Sequence, residues 1–277
     1  MGTEFENASA VRRVTADEGR LSYEAAIAPG WDIAGNANGG YLIAVAARAM
    51  ADAVGRPPLS VTAHYLSPGK PGPVTIDVEV VRDGRRMAVV RGSMISATGP
   101  VLSLLGTFAD HPVPGSGPAV IDGAPPEVPA PEECVAGGPP TEVGESGFGD
   151  RVIGRYHPAD AGFREGRPSG TARMRGWFEF ADGGHIDAFG LLVALDAFAP
   201  VCFNRPEFAV SWAPTIELTA HVRAEPAPGP LRVLFSSRFL QDGMFEEDGE
   251  IWDSAGRLVA QSRQLALLPR LGGGGGG

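Results

Sequence analysis

The chain has 277 residues, a formal net charge of −10 and a pI of about 5.0. No basic stripe offsets this acidic surplus, so we expect no nucleic-acid partner. Cys134 and Cys202 stand far apart and outside any metal-ligand spacing, and the acidic N-terminus has no signal-peptide core. We therefore expect a cytoplasmic protein with free thiols.

The first half of the chain predicts one long helix followed by an antiparallel meander. Weak alternation over residues 20–34 indicates a first strand, and residues 41–50 form a segment of high helix propensity that Asn38 can cap. The pattern then changes to a period of two, with Pro- and Gly-rich turns between the runs. The expected strands are 60–66, 74–82, 87–97 and 101–108.

The start of this helix is rich in glycine. Gly39 and Gly40 allow close backbone approach, and the free N–H groups of such a helix start suit an oxyanion. A plain capped core helix explains the same residues and is the more common case.

The second half repeats the order of the first. Residues 111–150 are rich in proline and glycine, and this composition predicts a linker. A strand at 176–180, a helix at 186–199 and further strands follow, at about 214–224, 230–240, 245–253 and 258–268. We therefore expect an N-terminal unit (1–110), a linker (111–150), a C-terminal unit (151–271) and a disordered glycine tail (272–277).

Identical short sequences in the two halves support a duplication of one unit. The triplet Thr62-Ala-His64 recurs as Thr219-Ala-His221, and Pro71-Gly-Pro73 recurs as Pro228-Gly-Pro230, in one register without a gap. We interpret the chain as a fused tandem repeat in which each unit has one helix wrapped by a curved antiparallel sheet. The fold class is therefore α+β.

Asp196 is the most informative residue of the second helix. It lies inside the longest apolar run of the chain, which Asp187 opens and Pro200 closes and which is too short to span a membrane. We expect it in the last helical turn. Burying an unpaired charge is costly, so Asp196 must either have partners or reach water.

Three polar residues are present in the second half and absent at the aligned positions of the first. Asp196 aligns with Ala46, Thr215 with Pro58 and Gln264 with Thr107. Strand alternation predicts that Thr215 shares a face with Glu217, Thr219 and His221. Gln264 is expected on a face of small residues that leaves room for a ligand. Three unrelated surface residues are the alternative explanation.

The order of several short motifs resembles the acyl-CoA thioesterase II family over about residues 20–270. These motifs are Asn38-Gly-Gly-Tyr41, Tyr65-Leu-Ser-Pro68, Asp83-Gly-Arg-Arg86, Leu195-Asp196-Ala, Trp212-Ala-Pro-Thr215 and Leu258-Val-Ala-Gln-Ser-Arg-Gln264. The resemblance implies a double-hotdog fold. It also implies that Asp196, Thr215 and Gln264 form a catalytic set that activates water against an acyl-CoA or other acyl thioester.

The same resemblance suggests where the rest of the substrate would be bound. Backbone N–H groups of Gly39, Gly40 and Tyr41 are the candidates for stabilising the thioester oxyanion. Arg85, Arg86 and Arg263 are the candidates for the CoA phosphates, although a solvated surface charge is the more common explanation for each. We expect no metal, no cofactor and no membrane partner, and we expect self-association as a homo-oligomer through an exposed sheet edge.

Two other functions remain open from the sequence. A non-catalytic acyl-binding protein on the same scaffold would use the three polar residues only to satisfy a buried Asp196. A hotdog hydratase or dehydratase is the other alternative. The sequence contains no Gly-x-Ser-x-Gly elbow, no Walker or dinucleotide-binding glycine pattern, and no histidine pair at metal spacing.

Overall fold

One large antiparallel sheet joins both halves of the molecule. The computed structural model describes residues 2–17, 20–112, 117–118, 120–137 and 147–269. The expected glycine tail, 272–277, lies outside the described residues. The helices are α1 (Glu4–Ala8), α2 (Gly39–Val54), α3 (Phe148–Arg151) and α4 (Ala188–Ala194). The strands up to the expected linker are β1 (Arg12–Asp17), β2 (Arg20–Ile27), β3 (Asp32–Ile33), β4 (Asn36–Ala37), β5 (Pro58–Tyr65), β6 (Gly72–Asp83), β7 (Ala88–Ser96) and β8 (Gly99–Phe108). Those that follow are β9 (Val135–Gly137), β10 (Val152–Tyr156), β11 (Arg173–Phe180), β12 (Thr215–Val222), β13 (Leu231–Ser236), β14 (Leu240–Gln241), β15 (Met244–Trp252) and β16 (Leu258–Leu267).

The strand order is mirrored about the centre of this sheet. Five strands run β2-β6-β7-β8-β5 in the first half, and β12-β16-β15-β13-β11 continue in the second. The α+β class and the two helix-plus-sheet units are therefore confirmed. Strands β5 and β12 form the joint, where Thr62 lies directly opposite Thr219 and their hydroxyl oxygens are 2.9 Å apart. These two residues are repeat equivalents, 157 positions apart, so a pseudo-twofold axis passes between them.

Helices α2 and α4 pack against each other in antiparallel directions inside the sheet. Gly40, at the start of α2, lies beside the residues that follow α4, while Arg48 further along pairs with Asp187 at the start of α4. Asn38 caps α2 as expected, because its side chain accepts the N–H of Tyr41. Gly55 ends α2 in the left-handed conformation. No helix in the described part of the chain is both long and apolar enough to cross a membrane.

The second helix is shorter than the sequence predicts. The apolar run that Pro200 closes predicts an end at residue 199, but α4 ends at Ala194 and Asp196 lies beyond its C-cap, Leu195. In a longer helix the carbonyl of Asp196 would accept the N–H of residue 200, and proline has none. The side-chain amide of Asn38 donates to that carbonyl instead, at 2.7 Å. The expected helical position of Asp196 is therefore wrong.

Smaller differences lie at the edges of the sheet. The strand expected at 20–34 ends at Ile27, and β1 precedes it. Within the expected linker, β9 pairs with β10 and extends the sheet by one edge strand. The expected linker therefore contains a strand, and the domain limits at 110 and 150 stay predictions.

Candidate functional site

Asp196 is held by the first turn of the helix from the other half. Its Oδ2 accepts the backbone N–H of Gly40 at 2.9 Å and the amide of Asn38 at 3.0 Å. The Asn38 Oδ1 accepts the N–H of Tyr41 at 2.9 Å, which fixes the orientation of this amide. One residue therefore caps α2 and binds Asp196, so the site depends on both halves of the chain.

Gly40 must be glycine for this contact to form. A Cβ at Gly40 would lie 2.4 Å from the carbonyl oxygen of Leu192 and 2.9 Å from the Cβ of Asp196. The first of these neighbours is backbone and cannot move away cheaply. The Asn38-Gly-Gly motif is thus explained by helix packing at Asp196.

The surroundings of Asp196 place its pKa close to neutrality. The residue is partly buried, and desolvation raises its pKa to about 6. The N–H groups of Gly40 and Gly39 and the Asn38 amide act in the opposite direction, because they stabilise the carboxylate. A carboxylate in this range is ionised at pH 7 and is basic enough to accept a proton from a bound water.

Thr215 and Gln264 are in direct contact. The Thr215 hydroxyl donates to Oε1 of Gln264 at 3.1 Å, and Gln264 is buried. Asp196 makes no direct hydrogen bond to either of them among the described residues. Its charge does act on Glu247, whose carboxylate accepts a hydrogen bond from Gln264 at 2.9 Å.

A β-bulge decides which way Thr215 points. The pairing of β12 with β16 shifts between Thr215 and Glu217, so that Thr215 lies opposite Ala266 while Leu218 lies opposite Gln264. Residues opposite each other share a face, and Gln264 and Ala266 share one by alternation. The prediction that Thr215 lies on the face of Glu217 and Thr219 is therefore wrong, because the extra residue brings it to the inner face.

Glu247 is not among the site residues predicted from the sequence. It is 6% exposed, and its other oxygen accepts the N–H of Val201 at 2.7 Å. Strand alternation was a usable signal, because Glu247 shares a face with the buried Phe245 and Ile251. A carboxylate in an apolar register position of a strand is as unusual as Asp196 in its apolar run.

Tyr65 is also not among the site residues predicted from the sequence, although it belongs to the motif Tyr65-Leu-Ser-Pro68. Its hydroxyl is buried and has no hydrogen-bond partner among the described residues. A methyl group at Gly39 would lie 2.6 Å from this hydroxyl and 2.9 Å from Oδ2 of Asp196, so both oxygens lie beside Gly39. Burial, followed by the charges of Asp196 and Glu217, raises the pKa of Tyr65, which keeps the phenol protonated as a donor.

The expected oxyanion donors are already engaged. The N–H of Gly40 is bonded to Asp196, the N–H of Tyr41 is bonded to Asn38, and the N–H of Gly39 also acts on Asp196. The Tyr41 side chain is fully buried and its hydroxyl donates to the carbonyl of Ala8. These N–H groups hold Asp196 and the helix start, so their predicted role at the thioester oxygen is not supported by the geometry.

The expected CoA-binding arginines do not converge on Asp196. Arg263 forms a bidentate pair with Asp248, at 2.6 Å for each contact. Arg85 and Arg86 are exposed on the turn between β6 and β7. The carbonyl of Gly84 in that turn accepts a hydrogen bond from Arg56, which follows the C-terminal end of α2. Asp196 lies at the N-terminal end of α2, roughly 24 Å away for a helix of this length.

Comparison with protein families gives two adjacent matches. A model of the acyl-CoA thioesterase N-terminal domain matches residues 27–109, and one of the acyl-CoA thioesterase C-terminal domain matches residues 131–268. An uncharacterized protein of Mycobacterium tuberculosis is 31% identical, and the alignment covers 97% of this chain and 99% of that protein. The matches thus span both halves of the chain.

Solved structures give the same picture. A Thermobifida fusca protein assigned to thioesterase II has a TM-score of 0.85 and 32% identity, covering 97% of this chain and 98% of its own. A hot dog fold protein of unknown function from Alicyclobacillus acidocaldarius has a TM-score of 0.79 at 19% identity, covering 98% and 100%. At that identity the second likeness shows the fold alone. The expected double hotdog is confirmed.

Proposed function

The chain belongs to the acyl-CoA thioesterase family, and on that premise we propose that it hydrolyses an acyl thioester with a water molecule that Asp196 activates. The observation that carries this proposal is the carboxylate of Asp196 itself. It is partly desolvated, its pKa is raised to about 6, and donors from the opposite half hold it in place.

Thr215 and Gln264 serve to orient the attacking water. The Thr215 hydroxyl donates its hydrogen to Gln264, so its oxygen lone pairs can accept a hydrogen from water. A water that gives one hydrogen to Asp196 and the other to Thr215 keeps a lone pair for the thioester carbon. Asp196 takes the proton as the C–O bond forms, and the proton then passes to the sulfur as the C–S bond breaks. General-base assistance of this kind contributes about 10² to 10⁴ in rate.

Tyr65 is the donor that can face the thioester oxygen. Its hydroxyl lies beside Gly39, as Asp196 Oδ2 does, and has no hydrogen-bond partner in the described part of the chain. The carbonyl oxygen becomes negative as water adds, and a positioned donor there commonly contributes about 10² to 10³ in kcat. The base and the oxyanion donor thus come from different halves of the chain.

The natural substrate in this proposal is an acyl-CoA, following the family. A cytoplasmic location and assembly into a homo-oligomer belong to the same proposal. Both cysteines are free and buried, in keeping with a reducing compartment.

Hydrolysis of a panel of acyl-CoAs of different chain lengths tests this function, with thiol release as the readout. We expect turnover by the wild type and a loss of about 10³ in kcat for Asp196→Asn, which keeps an acceptor for Gly40 and Asn38. Asp77→Asn, an exposed carboxylate on β6, is the matched control and should leave the rate unchanged.

Equal, slow turnover by the wild type and Asp196→Asn would refute the hydrolase. Tight binding of acyl-CoA without turnover would then favour the acyl-binding alternative. Hydration of an enoyl-CoA by the wild type would instead favour the hydratase alternative.

A further inference from the structure

Glu247 is a buried carboxylate that no cation in the described part of the chain neutralises. It lies on the inner face of β15, where Oε1 accepts the Gln264 amide at 2.9 Å and Oε2 accepts the Val201 N–H at 2.7 Å. Buried charges are normally paired with a cation or a metal. Among the described residues its partners are two neutral N–H donors, so something other than charge pairing must account for this residue.

The position of Glu247 connects the two parts of the proposed site. On one side, Gln264 links it to Thr215 through a second hydrogen bond of 3.1 Å. On the other, Val201 begins the short 3₁₀ helix that directly follows the segment carrying Asp196. The carboxylate therefore ties the Asp196 segment to the strand that carries Gln264.

We propose that Glu247 is a positioning residue whose ionisation sets the direction of the hydrogen bond between Gln264 and Thr215 and thereby switches the site between an active and a poorly active arrangement. This inference rests on the proposed thioester hydrolysis. It assigns Glu247 no contact with the substrate.

The ionised form of Glu247 produces the active arrangement. An amide has one donor end and one acceptor end, and a carboxylate accepts only the donor end. Gln264 must then turn its oxygen towards Thr215, which commits the hydroxyl hydrogen to Gln264. The oxygen of Thr215 is left to accept a hydrogen from the attacking water.

Protonation of Glu247 reverses the donor and the acceptor in each hydrogen bond between Glu247, Gln264 and Thr215. The N–H of Val201 still requires an acceptor, so the new proton belongs on Oε1, which faces Gln264. The amide must turn over to accept it, and its nitrogen then donates to Thr215. The Thr215 hydroxyl is now free to donate to the water oxygen, where it occupies the lone pair that should attack the thioester.

The charges around Glu247 bring this transition into an accessible pH range. Burial, followed by the negative charges of Asp196 and Asp248, raises the pKa of Glu247 to about 8, against the opposing effects of Val201 and Gln264. Two further titratable neighbours that interact with it are Cys202 and Tyr156, whose pKa values burial raises to about 12. Both therefore stay neutral between pH 6 and pH 9.5, and their protonation does not compete with that of Glu247.

Side-chain amide NMR of protein labelled with ¹⁵N-glutamine tests the switch without any substrate. The Gln264 signal is assigned by its loss in Gln264→Asn. We expect this signal to titrate with a midpoint near 8 in the wild type and to stay constant in Glu247→Gln. The amide that this substitution introduces has a fixed donor end, which holds Gln264 in the turned-over orientation at every pH. Glu250→Gln, on the same strand, is the matched control and should titrate like the wild type.

The pH profile of kcat/KM on the best acyl-CoA gives the functional readout. The wild type should show one rise near pH 6 and a second near pH 8. Glu247→Gln should keep the first rise, lack the second, and be roughly ten-fold slower at pH 9. Thr215→Val should keep the NMR titration and lack the second kinetic rise, which tests the same chain without altering Glu247.

A Gln264 signal that is invariant between pH 6 and pH 9.5, or that titrates equally in Glu247→Gln, overturns the proposal. If the wild type hydrolyses no thioester while the NMR titration is present, the hydrolase assignment fails and the positioning by Glu247 stands. If hydrolysis is present and the NMR titration is absent, the reverse holds.

Discussion

The two halves of this chain share one plan, but four polar residues of the C-terminal half have apolar counterparts in the N-terminal half. The sheet register and the helix alignment identify four equivalent pairs of positions. In the C-terminal half these are Asp196, Thr215, Gln264 and Glu247, and in the N-terminal half they are Ala46, Pro58, Gly106 and Val90. None of the four N-terminal side chains can donate or accept a hydrogen bond. The difference indicates that the two copies have specialised: the C-terminal half carries Asp196 and its polar neighbours, and the N-terminal half holds Asp196 through the start of α2.

The sheet register corrects the counterpart that the sequence predicts for Gln264. A constant offset pairs Gln264 with Thr107, but Leu218 lies opposite Gln264 while its equivalent Val61 lies opposite Gly106. The strands that follow the joint are thus shifted by one residue between the halves. The β-bulge that turns Thr215 inward has a counterpart at Pro58, so the bulge belongs to the scaffold and only the side chains differ.

Packing explains why the N-terminal half cannot hold the same site. A side chain at Gly106 would meet the Phe108 ring at 2.8 Å, and Phe108 is fully buried. The equivalent of Phe108 is Ala266, which is small enough to leave room beside Gln264. The N-terminal half instead contributes the start of α2 and Tyr65, which act on Asp196 across the boundary.

The two helix glycines test this asymmetry most severely. Gly40→Ala should destabilise the fold by about 1–3 kcal/mol and lower kcat/KM by about 10², because the new methyl meets the Leu192 carbonyl and displaces Asp196. In its equivalent, Gly190→Ala, the nearest neighbours of the new methyl are side-chain atoms of Ile186 and Phe180 at 3.0 Å or more, so this variant should lose less stability and less activity. Urea denaturation and acyl-CoA kinetics measure the two effects. Similar losses in both variants would mean that the halves are not specialised at this contact.

Tyr65 tests the contribution of the N-terminal half to the chemistry. Tyr65→Phe should lower kcat by about 10² with little change in KM, since only the developing oxyanion loses a donor. The same change should leave the fold as stable or more stable, because it removes a buried hydroxyl that has no partner among the described residues. Tyr23→Phe, whose hydroxyl is bonded to Asp52 at 2.9 Å, should show the opposite pattern of lower stability and unchanged rate. A Tyr65→Phe variant that turns over like the wild type would assign the oxyanion donor elsewhere.

Two threonines on β12 separate chemistry from scaffold within one strand. Thr215→Val should lower kcat roughly ten-fold, because the water loses one of its acceptors. Thr219→Val removes the hydrogen bond to Thr62 at the joint and should cost about 1 kcal/mol of stability without changing the rate. Steady-state kinetics and thermal melts of both variants decide this. Equal kinetic effects would place the joint in the active site.

The last prediction is a pH dependence of stability that arises from the C-terminal half. The pKa values of Asp196 and Glu247 are raised in the folded state, to about 6 and about 8, from values near 4 in the unfolded chain. The folded state therefore binds these protons more tightly, and the resulting stability is fully present below about pH 4 and is lost as pH rises through 6 and then 8. Glu247→Gln should remove the upper part of this loss, which amounts to several degrees in Tm. Melts of both proteins from pH 5 to pH 9 measure it, and parallel curves would contradict a raised pKa for Glu247.

The sequence by itself determined the plan of the molecule. Local periodicity predicted α2 and most of the strands, and matching letters at a fixed offset predicted the duplication. Polar residues present in one copy only indicated Asp196, Thr215 and Gln264. These features are local or repetitive, so they can be recognised from the sequence alone.

The tertiary structure alone decided how these residues meet. A β-bulge changes the face on which Thr215 lies, and no distinctive residue marks that bulge in the sequence. The backbone N–H groups that hold Asp196 cannot be identified from residue types. Asn38, Gly40 and Tyr65 reach Asp196 from the other half of the chain, and Glu247 reaches Gln264 across a strand pair. The contacts to Asp196 form only when the two halves dock, and the contact between Glu247 and Gln264 forms only when β15 and β16 pair. Burial at these places removes the water that would otherwise satisfy each polar group.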